Sequence, residues 1–292
     1  MAFRNFCKTV VLLAAIGGLL VAVGALLGGT GGAVVGLALG LVVVGGSYWF
    51  SDRLAVRAAG AVEVTAEEDP ALHAMVRDLA DRAGLPMPRV YVSPSAQPNA
   101  FATGRDPRHS AVAVTEGLLT RCPPAEVRGV IAHELAHIRN RDVLIGSVAA
   151  AIATGISFIA NLALFAGMFG GGDDEDGPSP FAAILIALLA PIAATILQMA
   201  ISRSREFEAD RVGAEILGDP EPLARALERL DAEAARVPLD VAPAQASHFI
   251  VNPLTGRQVQ FARLFMTHPP IEERVARLRA GRTDLPGLPR AA

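Results

Sequence analysis

The sequence predicts an α+β fold whose chain enters the bilayer twice, as four transmembrane helices in two hairpins. Two observations carry this prediction. No charged residue occurs from Thr9 to Ser51, and only one acidic cluster interrupts the apolar stretch from Val143 to Ser202. The segments between and after these stretches instead alternate short β-patterned runs with helical periodicity, as a folded domain does. The composition agrees: 52% of the 292 residues are hydrophobic, only 19% are charged, and mean hydropathy is +0.40. A soluble domain carries about 25% charged residues, so much of the apolar surface needs a place other than a core. The net charge of -3 offers no basic surplus for a phosphate backbone, which argues against nucleic acid as partner. Cys7 and Cys122 are too few and too far apart for a disulfide framework and read as free thiols.

The first unit, residues 1–51, is expected to be a membrane hairpin. A bilayer core needs about 20 apolar residues per helix, so spans near Val10–Leu27 and Ala33–Phe50 fit, with the reversal at Gly28–Gly32. Tyr48 and Trp49 then fall at a membrane boundary, where amphipathic rings concentrate. Arg4 and Lys8 could open a cleavable signal peptide, but the apolar run is too long and leads directly into another. Residues 52–142 form the first part of the folded domain. Leu72, Met75, Val76 and Leu79 share one face of a helix over Pro70–Ala83, Arg89–Ser93 and Ser110–Thr115 alternate like strands, and Pro123-Pro124 opens a long helix reaching Asn140. Residues 143–202 form a second hairpin with Asp173–Asp176 at its tip, and Pro191 is tolerable within its second span. Residues 203–292 complete the domain with helices near Ser202–Leu217, Pro220–Arg236 and Pro270–Ala280, while 237–267 shows no pattern. Arg and Lys flank the spans at residues 4, 8, 53, 57, 139, 141, 203 and 205, and neither hairpin tip has any. Both termini and the folded domain are therefore expected in the cytoplasm.

Chemistry concentrates in His133-Glu-Leu-Ala-His137. Histidines four apart project from one helix face, so both imidazoles can reach a single Zn2+, and the intervening Glu134 is placed to act on a metal-bound water. The flanking residues are apolar, and burying two histidines and a glutamate is costly unless a metal pairs them. A third ligand is expected from Arg203-Ser-Arg-Glu-Phe-Glu-Ala-Asp210, where the chain leaves the second hairpin. Glu206 and Asp210 share a helix face, which favours Glu206 as ligand and Asp210 as the acceptor steadying a ligand histidine. Glu208 points away and is the reserve ligand.

Together these residues resemble the HtpX membrane zinc metalloproteases, bacterial relatives of the type I prenyl-protein proteases. Asn99-Ala-Phe-Ala-Thr-Gly104, Val114-Thr-Glu-Gly-Leu-Leu119 and Thr267-His-Pro-Pro-Ile-Glu-Glu-Arg274 extend the resemblance from about Asp69 to Leu278. It implies a gluzincin-type fold, one catalytic zinc per chain, a bacterial inner-membrane location, and proteolysis of misfolded or damaged membrane proteins on the cytoplasmic side. His133, His137 and Glu206 would be the ligands and Glu134 the base. His268 and Arg205 are candidates to stabilise the tetrahedral oxyanion. The extended residues Ala111, Val112, Ala113 and Val114 suit an edge strand that pairs with substrate backbone. His73, His109 and His248 have no partner at ligand spacing. Two rival readings share the zinc motif: a specific prenyl-protein endoprotease, for which the chain is short, and a non-catalytic zinc-stabilised scaffold, which would not need Glu134. The sequence leaves the oligomeric state open.

Overall fold

The computed structural model describes residues 2–143, 203–236 and 269–281. Most of the expected second hairpin (144–202), the segment 237–267 and His268 lie outside the described residues. The element order is α1 (Ala2–Ala58), β1 (Val62–Glu63), α2 (Pro70–Ala83), β2 (Arg89–Ser93), β3 (Ala100–Asp106), β4 (His109–Thr115), α3 (Glu116–Arg121), α4 (Pro124–Asn140), α5 (Arg203–Leu217), α6 (Glu221–Arg236) and α7 (Ile271–Ala280).

Helix α1 is not straight. Gly29 has φ +58, and a Cβ added at Gly24 would collide with the Gly32 carbonyl, as one at Gly36 would with that of Leu20. Residues eight and sixteen apart touch in this way only if the helix doubles back on itself at Gly29. Glycine removes the side chains that would hold the two arms apart. The second arm runs on past Phe50 to Ala58, and this extension docks it on the sheet: Val56 packs against Tyr91, Phe101, Ala111 and Ala113. Asp52 pairs with Arg89, and Ser93 Oγ donates to the Ala59 carbonyl at 2.6 Å. Among residues described to the side chain, no helix is long and apolar enough to cross a membrane. That α1 spans a membrane is an expectation from its sequence.

The sheet has the order β1-β2-β4-β3. Strand β4 pairs in parallel with β2, Arg89 opposite Ala111, and antiparallel with β3, Ala100 opposite Val114. The expectation that Ala111–Val114 forms an edge strand is therefore wrong, since β4 has a neighbour on each side. The physical reason lies in the residues themselves. Ala111, Val112, Ala113 and Val114 are all buried, with Val112 and Val114 in the helical core and Ala111 and Ala113 beneath the end of α1. A run apolar on both faces marks an interior strand. The outer strand on this side of the sheet is β3, in a segment whose Asn, Pro and Gly predict a turn region.

Helix ends follow local chemistry. The Asp69 carboxylate accepts from Leu72 N at 2.9 Å to start α2, and Gly84, at φ +68, ends it. Thr115 Oγ1 accepts from Leu118 N at 3.1 Å and begins α3 directly from the end of β4. Helix α4 is the axis of the domain. Val130, Ile131, Ala132, Leu135 and Ala136 are fully buried among α2, α5, α6 and the sheet. A Cβ on Gly213 of α5 would lie 3.1 Å from the backbone of His133, so the two helices approach backbone to backbone at that point.

This close approach yields a prediction. Gly213→Leu should force α5 away from α4 and destabilise the domain by about 1–3 kcal/mol. Thermal unfolding of the detergent-purified chain should show a lowered midpoint, with metal content falling in parallel because Glu206 and Asp210 move with α5.

Candidate metal centre

His133, Glu134 and His137 lie on α4, and Glu206 and Asp210 lie on the first two turns of α5. Where α4 and α5 meet, His133 Nε2 is 3.2 Å from His137 Nε2. The Glu206 carboxylate faces both, with Oε2 3.7 Å from His133 Nε2 and Oε1 3.7 Å from His137 Nε2. One donor atom from each of the three residues falls within 4.8 Å of the others. Two imidazole nitrogens and one carboxylate oxygen in this arrangement match the three-ligand set of a catalytic zinc site. Glu208 is no part of it: its carboxylate accepts from Arg211 at 2.7 and 3.0 Å on the outer face of α5.

Each histidine is steadied from behind by a carboxylate. His133 Nδ1 lies 2.9 Å from Asp210 Oδ1, as the sequence suggested for Asp210. His137 Nδ1 lies 3.0 Å from Asp142 Oδ1, a partner the sequence reading missed. Asp142 stands just past the helix, immediately before the uncharged run that begins at Val143. It reaches back because Arg141 takes a left-handed conformation at φ +56, closing α4 and directing Asp142 N–H to the His137 carbonyl at 3.2 Å. Burial opposes a charge on the His137 ring, yet Asp142, with Glu206 and Glu134, raises its pKa, and a bound metal cation would compete with the proton for Nε2.

Arg274 was also missed as a site residue, although it ends a segment already singled out. Its side chain is fully buried, and it donates to both oxygens of Asp210, Nε to Oδ2 at 2.8 Å and Nη2 to Oδ1 at 2.7 Å. Its Nη1 is 3.7 Å from Glu206 Oε2 and its Nη2 3.4 Å from His133 Nε2. Burial would raise the Asp210 carboxyl, but the Arg274 cation outweighs it and brings the pKa down to about 2. Asp210 therefore stays an anion facing His133.

Glu134 points toward the sheet edge, where the Ala102 N–H of β3 donates to its Oε2 at 2.7 Å. Burial raises its pKa against the pull of the two histidines. A carboxylate shifted upward beside a strand edge suits a group that takes and returns a proton. Arg205 is also buried, close to Asp142 and Glu206, and burial lowers its pKa. His268 lies outside the described residues.

Comparison with known proteins agrees with this geometry. Residues 66–282 match Peptidase family M48. The chain is 52% identical over 279 residues to a "Protease HtpX homolog" of Pelotomaculum thermopropionicum, covering 94% of this chain and 99% of that one. It is 50% identical over 288 residues to a "Protease HtpX homolog" of Burkholderia thailandensis, covering 96% of this chain and 99% of that one. Among solved structures, S. mikatae Ste24p is similar in fold, with a TM-score of 0.53 and 20% identity. That likeness covers 94% of this chain and 66% of the other.

The carboxylates behind the histidines should contribute to metal affinity. Asp142→Asn should weaken metal affinity about 10–100-fold by removing the acceptor that orients His137. Competition with a chromophoric chelator measures it, and Glu208→Gln should leave the affinity unchanged.

Proposed function

The chain belongs to peptidase family M48 and is a metalloprotease, and from that premise we propose that it is a membrane zinc endopeptidase that hydrolyses misfolded or damaged membrane proteins on the cytoplasmic side. The observation that carries the zinc assignment is the convergence of His133, His137 and Glu206, with Glu134 alongside at the sheet edge. The relatives' shared name, a protease homologous to HtpX, supports the same reading.

One zinc per chain, held by His133, His137 and Glu206, would supply Lewis-acid polarisation of the scissile carbonyl and a water acidified toward neutral pH. The chain's own groups do the rest. Glu134 takes the proton of the attacking water as the new carbon–oxygen bond forms. It then delivers that proton to the amide nitrogen as the carbon–nitrogen bond breaks. Asp142 and Asp210 hold the histidine rings in orientation, and Arg274 holds Asp210. For the oxyanion we assign His268 in preference to Arg205. The helix that follows His268 brings Arg274 to 3.4 Å from His133, whereas Arg205 sits as a counter-charge among buried carboxylates.

The substrate strand is assigned to the edge of β3, the strand whose Ala102 N–H faces Glu134. An extended peptide laid along it would bond mainly through its backbone, so selection by side chain would be loose. Loose selection suits unfolded segments of many proteins better than a single prenylated terminus. The apolar arms of α1 and the segment 143–202 would span the bacterial inner membrane, with both termini and the protease domain in the cytoplasm.

Two variants separate binding from chemistry. Glu134→Gln should retain about one zinc and lose proteolysis of an unfolded substrate by about 10²-fold or more. Glu206→Gln should lose zinc as well as activity. A Glu134→Gln protein that holds zinc and cleaves at the wild-type rate would overturn the mechanism. The membrane assignment is checked by alkaline extraction, in which the chain should stay with the lipid.

A further inference from the structure

A cavity of about 400 Å³ opens between the end of α1 and the corner of the sheet, and none of His133, Glu134, His137 or Glu206 lines it. Trp49, Phe50, Asp52 and Arg53 line it from α1, Arg89 from β2, and Arg105, Arg108 and His109 from the β3–β4 hairpin. Four guanidinium groups thus surround the space against a single lining carboxylate. Asp52 pairs with Arg89, and Asp106, just behind the wall, holds His109 at 2.8 Å and lies 3.8 Å from Arg105. Among the described residues neither Arg53 nor Arg108 has a carboxylate partner, so a positive excess remains.

The wall is built rather than incidental. The Arg105 guanidinium lies 5.0 Å from the centre of the Trp49 ring and that of Arg53 5.9 Å from the Phe50 ring, both within cation–π range. The hairpin tip that carries Arg108 is fastened by Asp106, whose Oδ1 accepts from Arg108 N at 2.8 Å and His109 N at 3.0 Å. Trp49 and Phe50 are exposed at the end of the apolar arm, so cationic donors and apolar rings meet at one mouth. Guanidinium forks recognise phosphate oxygens in preference to other small anions. Basic pockets at the cytoplasmic end of membrane helices hold acidic lipid headgroups.

We propose that this pocket binds a phosphate-bearing anion of the kind an acidic phospholipid headgroup presents, clamped by Arg53, Arg89, Arg105 and Arg108 beside Trp49. Only the lipid as source of that anion rests on the membrane reading above; the pocket itself does not. Occupancy would tie the end of α1 to β3, the strand whose other end faces Glu134.

Trp49 is the chain's one tryptophan, so its emission reports the pocket directly. The full chain in neutral detergent would be titrated with dioctanoyl phosphatidylglycerol, dioctanoyl phosphatidylcholine and inorganic phosphate. A saturable change in emission is expected with phosphatidylglycerol, with phosphatidylcholine much weaker. Arg53→Gln with Arg108→Gln should weaken the response at least about tenfold while zinc content is kept. A matching response to inorganic phosphate would also support the pocket and would point to a soluble source of the anion. Identical titrations for wild type and the double variant, or for the two lipids, would overturn the proposal. If the double variant loses zinc, Arg108→Gln alone, at the exposed hairpin tip, carries the same comparison. Release of the chain by alkaline extraction would count against the membrane reading and leave this titration untouched.

Discussion

The site depends on the buried Asp210 carboxylate. It meets His133 from α4 at 2.9 Å and accepts two bonds from Arg274 of α7, while belonging itself to α5. Three helices far apart in the chain are thereby fixed around one charge. Removing one partner from such a buried cluster leaves an unpaired ion, at about 3–5 kcal/mol. The arrangement therefore tolerates little displacement of any of the three helices. Metal ligation needs the same rigidity, because Glu206 reaches the histidines only if α5 keeps its register against α4.

Gly213 serves the same requirement through shape. The backbone contact at His133 sets the distance between α4 and α5, and Asp210 and Glu206 follow one and two turns earlier on the same helix. On the opposite side of α4, the edge of β3 delivers the Ala102 amide to Glu134. The candidate metal site therefore lies between α5 and a strand edge, with Glu206 on one side and Glu134 facing the other. Docking of the second arm of α1 on the far face of the same sheet connects the apolar hairpin to the strand that borders the site.

Much of this was legible in the residues. The helices over Pro70–Ala83 and Pro124–Asn140, and the candidate ligand pair His133 and His137, follow from periodicity, proline placement and the four-residue spacing. Glu206 and Asp210 could be chosen over Glu208 because side chains four apart share a helix face, and the Glu208–Arg211 pairing shows the other face turned outward. The strand Ala100–Asp106 was hidden by its turn-forming residues. The role of Ala111–Val114 was misjudged because an apolar run reveals burial but not which strands lie beside it.

Local rules thus determined which side chains could bind a metal and which helix would carry them, since i, i+4 geometry is fixed within one element. Asp210 behind His133 could be read from helix spacing, but Asp142 behind His137 and Arg274 behind Asp210 were decided only by the folded chain. Asp142 reaches His137 through a left-handed turn at Arg141, and Arg274 reaches Asp210 from 64 positions away. The first pairing depends on a left-handed residue that spacing does not announce, and the second arises where separate helices pack, which the whole chain sets. The same holds for β3, which became the strand edge beside Glu134 only when β2 and β4 paired in parallel and left it outermost.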